Sequence, residues 1–299
     1  MASKPTRDKI QLLKKEFDRL RKGRESLLTL VDETEIAEAV YNSNAIENST
    51  LTLKETERIL LEMEVARNIS VRELFEAKNL ARVVEYIKKK SQEIEIDADL
   101  ILFLHHMLIT GIDDSIAGRF RKTGEYVRVG NHIAPAPEHV GRMMESLLLE
   151  YTSDNDTYFV DKIAHFHLQF ETIHPFCDGN GRIGRVLINY QFLRLGFPGI
   201  IIRDKEKRQY YQTFTEYRKE KSARKLQKIV ALAVMESLHK RITYLKGARI
   251  MSLSEYSKKY EKSAPAMHGA ARQQNIPAFR EKGIWHIADD FVYDGANKK

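Results

Sequence analysis

The chain is expected to be mostly α-helical, with one small β-hairpin and a small C-terminal module of shorter period. Three observations predict this. Only 15 Gly and 7 Pro occur in 299 residues, well under average usage, which favours long helices over turn-rich β architecture. Apolar residues recur at helical spacing in one stretch after another. Strict alternation of apolar and polar residues appears convincingly once, over Tyr126–Ile133.

Along the chain, a first helix is expected over residues 8–30 (Ile10, Leu13, Phe17, Leu20, Leu27, Leu28, Leu30) and a second from Thr34 to about Ala45. Thr52 can cap a third, with Glu55 completing a capping box. Residues 71–90 form an amphipathic helix that closes on Lys88, Lys89 and Lys90, which suit a helix C-terminus. After a linker at 91–97, an apolar helix runs from Ala98 to Ile109. The alternating run then predicts a hairpin with Gly130-Asn131 at its turn. Helical spacing resumes over 138–151, 160–171, 182–195, 205–222 and 224–246. Beyond Gly247 the pattern suggests a short helix capped by Ser254, a second from Ala264 to Gln273, and a wing over Phe279–Trp285. These shifts divide the chain into an N-terminal helical region at 1–96, a central domain at 97–246 and a C-terminal module at 247–299.

The balance of 49 Lys+Arg against 42 Asp+Glu leaves a formal charge of +7, compatible with nucleic acid, a small polyanion or a solvated surface. The single cysteine, Cys177, excludes an internal disulfide framework and points to a reducing compartment. With no secretory segment visible at the N-terminus, a cytoplasmic location is expected. The longest uncharged apolar run, Leu100 to Ile112, is too short to span a bilayer.

The chemistry concentrates in His174-Pro175-Phe176-Cys177-Asp178-Gly179-Asn180-Gly181-Arg182-Ile183-Gly184-Arg185, between two helical patterns. Gly179 and Gly181 permit positive φ and close approach of backbone to a ligand. With Asn180 they can aim successive N–H groups into one concavity, and the following helix adds its positive end. Arg182 and Arg185, three apart, offer fork-shaped donors to phosphate oxygens. Asp178 alone would repel phosphate, so its place implies a bridging Mg²⁺. His174, at the loop entry, suits a general base acting on a hydroxyl. His165 and His167 are read as packing residues, since positions two apart do not share a helical face as zinc ligands would. No Gly-x-x-x-x-Gly-Lys-Ser/Thr occurs, so the chain is not a P-loop protein.

As a whole the string resembles the signature of the Fic (Fic/Doc, Fido-fold) family, His-x-Phe-x-Asp/Glu-Gly-Asn-Gly-Arg-x-x-Arg, with every fixed position matched. The resemblance implies a helical bundle with a β-hairpin flap that transfers AMP from ATP to a Ser, Thr or Tyr hydroxyl of a target protein. In that scheme His174 takes the proton and Asp178 holds Mg²⁺. Gly179, Asn180, Gly181, Arg182, Ile183, Gly184 and Arg185 form the ATP site. The run through Val129, Gly130, Asn131 and His132 resembles the flap, which docks a target segment by strand addition. Tyr210 and Tyr211 resemble paired tyrosines beside the adenine, while Arg218 stands where an Asn contacting the nucleotide is often found.

Ser43-Asn44-Ala45-Ile46-Glu47-Asn48 resembles the inhibitory motif Ser/Thr-x-x-x-Glu-Gly/Asn of self-restrained members. Through Ser43, Glu47 and Asn48 it implies that Glu47 pairs bidentately with Arg185 and removes it from the γ-phosphate. The C-terminal module resembles the winged helix–turn–helix appended to many bacterial relatives, leaving DNA, a second copy of the chain or the target open as its partners. Related chemistry (AMP removal, or transfer of another phosphate or nucleotide moiety) and, from a different class, a DNA-binding regulator that senses nucleotide are the alternative functions. From Arg203 to Lys228 ten Lys/Arg face four Asp/Glu, so ATP is the polyanion expected to account for much of the basic excess.

Overall fold

The structure is a computed structural model and describes residues 2–63 and 69–293. Its contacts resolve two compact units, one of Ile36–Ile229 and one of Ala2–Glu35 together with the chain from Val230 onward. The divisions at 96/97 and 246/247 read from composition do not coincide with these units. Composition marks loops, whereas both packing boundaries fall inside long helices.

Helix α1 (Lys4–Leu20) and helix α2 (Glu25–Ile46) stand where the sequence suggested helices over 8–30 and 34–45. The break comes earlier than expected, at Gly23, whose φ of +72° lies in the left-handed region that glycine tolerates. α3 (Leu53–Glu57) begins with the expected capping box: Thr52 and Glu55 satisfy each other's backbone N–H groups. It continues as a π-turn over Arg58–Glu62. α4 (Val71–Lys90) and α5 (Ala98–Ile109) match the sequence expectation end to end. β1 (Arg128–Val129) and β2 (His132–Ile133) pair antiparallel across Gly130-Asn131, with Val129 opposite His132. α6 (Pro137–Ser153), α7 (Phe159–Ile173), α8 (Asn180–Arg194), α9 (Lys207–Glu220) and α10 (Arg224–Lys246) complete the helical set.

The core of the first unit gathers Leu80, Val83 and Ile87 of α4, Leu104 and Leu108 of α5, Phe166 and Phe170 of α7, and Ile183, Leu187 and Tyr190 of α8. α8 is buried on nearly every side. A helix gripped in this way is a rigid base, and the loop leading into it inherits that rigidity.

In the second unit β3 (Ile250–Ser252), β4 (Phe279–Glu281) and β5 (Ile284–Ala288) form an antiparallel sheet in the order β3-β5-β4. It accompanies α11 (Leu253–Lys259) and α12 (Ala264–Arg272), around Leu253, Tyr256, Met267, Ala271, Ile276 and Ile287. The cap of α11 is Ser252 rather than Ser254, because Glu255 lies three residues on and completes a capping box. β3, a three-residue strand, was not legible in the sequence. Among the described residues no helix is long and apolar enough to cross a membrane.

Candidate active site

α7 ends at His174, whose φ of 51° is left-handed and turns the chain sharply out of the helix. Gly179, at φ +80°, turns it back into α8. Between them the loop is closed by Asn180. Its side-chain oxygen accepts from the Phe176 N–H at 2.9 Å, and its amide donates to the Phe176 carbonyl at 2.8 Å. Asn180 is thus first of all a brace, 2% exposed. Gly181 is helical rather than at positive φ. It has no side chain for a different reason, because a Cβ there would run into Glu47 Oε1 and lie 3.1 Å from Arg185 Nη1. Ile183 is fully buried, and the space beside Gly184 is filled by Glu171 and His167. Both therefore act through packing and backbone. The N–H groups of the first turn of α8 have no intrahelical acceptors, so they face the loop's concavity with the helix dipole behind them.

Charged groups line this concavity. Asp178 accepts from the Gly179 N–H at 2.6 Å, from Arg182 Nη2 at 3.1 Å and from Arg72 of α4. Burial pushes its carboxyl up, but Arg182, the Gly179 N–H and Arg72 together hold it below the usual carboxylate range. Arg185, buried, donates from Nε to Ser43 Oγ at 3.0 Å and from Nη2 to the Ser43 carbonyl at 2.9 Å and to Glu47 Oε1 at 2.8 Å. The expected bidentate pair is therefore a divided one, with Glu47 taking one bond and Ser43 two. The reason is geometric: Ser43, in the last turn of α2, lies four residues before Glu47, which directly follows the helix, and meets the same fork. Asn48 faces away, its φ at 71° and its side-chain oxygen accepting from Lys207 Nζ at 2.8 Å.

Tyr210 and Tyr211 differ in their surroundings. Tyr210 is 1% exposed, its hydroxyl within 2.8 Å of His167 Nε2 and its ring beneath Arg185. Tyr211 is at the surface and donates to the Ile46 carbonyl at 2.8 Å. His167 is a core residue as expected. His165, partly exposed, packs between helices, beside Glu150 and Gln169 and edge-on to Tyr217.

His174 is mostly enclosed, and that desolvation, with Arg121 nearby, holds its imidazole down at about 4. It is therefore neutral at pH 7 and able to accept a proton. Its Nδ1 lies 3.7 Å from Glu171 Oε2. Glu171 is itself buried and pushed up to about 8, first by burial and then by Glu47, against the pull of Arg185 and Arg218. In the hairpin, Val129 is exposed, Gly130 takes φ +57°, Asn131 occupies the other turn position, and His132 Nε2 lies 3.1 Å from the Thr172 carbonyl.

Several residues of this site escape a reading by spacing. Arg121 donates to the carbonyls of His174, Glu125 and Pro135, tying the hairpin's two flanks to the loop entry. His105 accepts from the Gly118 N–H at 3.0 Å through Nδ1, which leaves Nε2 to donate to the Asp178 carbonyl at 3.1 Å. Its ring stacks on Phe176 at 3.7 Å. Arg72, Glu76 and Glu171 complete the set. For His105 the one available signal was position, a polar residue on the otherwise apolar helix α5. Arg72 and Glu76 lie on the half-exposed start of α4, where spacing gives no signal.

Residues 95–192 match the Fic/DOC family. The protein adenylyltransferase Fic of Drosophila grimshawi is 33% identical over 175 residues, covering 58% of this chain and 36% of that protein. The Nematostella vectensis protein of the same name is 34% identical over 180 residues, covering 58% and 41%. The chain thus spans less than half the length of the curated relatives it matches. Among solved structures, a Fic domain-containing signalling protein from Bacteroides thetaiotaomicron aligns with a TM-score of 0.72 at 26% identity, over 80% of this chain and 97% of that one. A Fic family protein from Desulfovibrio desulfuricans aligns over 95% and 97% with a TM-score of 0.66 at 19% identity, a likeness of fold. With the complete loop signature in place between α7 and α8, residues 95–192 of this chain form a domain of the Fic/DOC family.

Proposed function

We propose that the chain is a self-restrained protein adenylyltransferase, moving AMP from ATP to a hydroxyl side chain of a target protein and of itself. The observation that carries this reading is the adjacency, on one braced loop, of a neutral, mostly enclosed imidazole and a cradle of N–H groups and arginines. A target hydroxyl oxygen attacks the α-phosphorus, and its proton passes to His174. Because Nδ1 of His174 is turned toward Glu171, Nε2 is the nitrogen left to receive it. The bond from the α-phosphorus to the bridging oxygen breaks, and pyrophosphate leaves with that oxygen. Backbone N–H groups of Gly179, Asn180 and Gly181, together with Arg182 and Arg185, bind the phosphates and orient them. Such positioning accounts for most of phosphoryl-type catalysis. Tyr211 bounds the purine side, with Tyr210 supporting Arg185 from beneath.

Asp178 fits a cation on the chemistry of its surroundings. It is one hard carboxylate, 35% exposed, that already attracts the guanidinium of Arg72, and Mg²⁺ is commonly held by a single carboxylate plus phosphates and water. Bound there, Mg²⁺ would neutralise phosphate charge.

Glu47 restrains the reaction by occupying the Arg185 guanidinium that the outer phosphate would take. The hairpin carrying Val129, Gly130, Asn131 and His132 offers its backbone to an extended target segment. A DNA-binding role for the C-terminal unit has less support, since Lys258, Lys259 and Lys262 alternate with Glu255 and Glu261. The test uses ATP labelled separately on its α- and γ-phosphates, with Mg²⁺, on the unsubstituted chain and on Glu47→Gly. Incorporation of the α-label alone, raised roughly tenfold or more by the substitution, is the expected result. Incorporation of the γ-label, or no response to the substitution, would argue against the reading.

A further inference from the structure

Neither Arg72 nor Glu76 belongs to the loop signature, yet both reach it from the first turns of α4. Arg72 donates from Nη2 to Asp178 Oδ2 and from Nε to Glu76 Oε1 at 3.1 Å. Arg182 donates from Nη2 to Asp178 Oδ1 at 3.1 Å, and its Nη1 lies 3.1 Å from Glu76 Oε1. Two arginines and two carboxylates therefore close a ring in which each member meets both partners of opposite charge. The ring is graded in exposure. Arg182 is 3% and Glu76 13% exposed, Asp178 35% and Arg72 55%. The inner side is not saturated. Nε and Nη1 of Arg182 are buried without a hydrogen-bond partner, and Nη1 meets Glu76 as an ion pair only.

We propose that the start of α4 presents surrogate ligands to the phosphate loop. Arg72 holds the carboxylate edge of Asp178 that a divalent cation would take, and Glu76 holds the Arg182 donor that a phosphate would take. Loading of a metal–nucleotide pair is then an exchange within the ring rather than an addition to a prepared site. The phosphate oxygen replaces Glu76 at Arg182, the cation replaces Arg72 at Asp178, and the two displaced side chains keep each other through the Arg72–Glu76 bond. This inference rests on the reading of Asp178 as a cation ligand. It makes the start of α4 a second restraint, separate from Glu47, with a distinct signature: Arg72 acts on the cation and Glu76 on the nucleotide.

Calorimetric titration of the full chain with ATP, once in EDTA and once in Mg²⁺, separates the two. The ratio of the two Kd values reports how strongly the cation assists binding. Because the outer pair is substantially exposed and screened, the expected change is modest. Arg72→Ala should raise the ratio roughly threefold to tenfold over the unsubstituted chain, and Arg72→Lys should leave it near the starting value. Glu76→Gln should lower the Kd in EDTA by a similar factor. Asp178→Ala should collapse the ratio in every background. An Arg72→Ala ratio that is unchanged or lower, with the Asp178→Ala collapse intact, overturns the exchange while leaving Asp178 as the ligand. An unchanged Kd of Glu76→Gln in EDTA overturns the nucleotide half. A ratio unaffected by Asp178→Ala removes Asp178 as ligand, and the exchange falls with it.

Discussion

Asn180 shows how a motif residue can be needed before any ligand arrives. Its side chain satisfies both the N–H and the carbonyl of buried Phe176. Asn180→Ala leaves two buried backbone groups unpaired and should cost about 2–4 kcal/mol in urea denaturation. Asn180→Asp keeps the acceptor, loses the donor and should fall between. His174 is the converse case, an imidazole whose loss should leave the fold intact. In the Glu47→Gly background, His174→Ala should abolish incorporation of the α-label while the melting temperature stays within a few degrees. Robust residual labelling would remove His174 from the proton-accepting role. Glu171 adds a pH signature. Its carboxyl is raised from an ordinary 4.5 to about 8, so between those values the folded chain holds a proton that the unfolded chain releases. The contribution of Glu171 to stability is then full below pH 4.5 and is lost as pH rises through 8. Thermal melting from pH 5 to 9 should decline more steeply for the unsubstituted chain than for Glu171→Gln.

At the scale of elements, sequence and structure agree where the determinants are local. The capping box at Thr52, the lysines closing α4 and the Gly130-Asn131 turn each lie within a few residues of what they control, so spacing reveals them. The same holds for the loop from His174 to Arg185. What spacing could not show was the partnership across the fold. Arg72 and Asp178 are 106 positions apart, Arg185 and Ser43 142, and Arg121 and His174 53. The second fork of Arg185 and the whole α4 contribution depend on those long-range meetings. The cap of α11 was missed for a smaller reason, that two serines stood near the helix start. Glu255 chooses Ser252. Ser252→Ala should therefore lower the melting midpoint of the C-terminal unit by roughly 2–6 °C, and Ser254→Ala by much less.

For the molecule as a whole, the buried histidines set an acid limit. His105, His174 and His239 are held down at about 4 and His167 at about 3, in each case chiefly by burial. In the window between these values and the ordinary 6.5, the unfolded chain binds protons that the folded chain excludes. The histidines' contribution to stability is complete above pH 6.5 and falls as pH drops toward 4, by about 1.4 kcal/mol per pH unit for each histidine. Melting curves from pH 7 to 4 should show a steep, multi-proton decline, softened by neutral replacements such as His239→Gln. The overall charge also reads differently in three dimensions. Within the basic stretch from Arg203 to Lys228, Arg203 pairs with Glu38, Lys207 holds Asn48, and Lys225 pairs with Glu216. Part of the +7 excess thus knits the protein together rather than facing a polyanion.

The divided fork of Arg185 has a consequence for how the proposed restraint would end. If Glu47 is drawn away, Arg185 keeps both bonds to Ser43. The guanidinium is left anchored, its long side chain already confined to one orientation. An incoming phosphate would therefore meet a donor whose rotational freedom was lost when the protein folded, not at the moment of binding. Release of the proposed restraint would then require one carboxylate to move and no arginine to search.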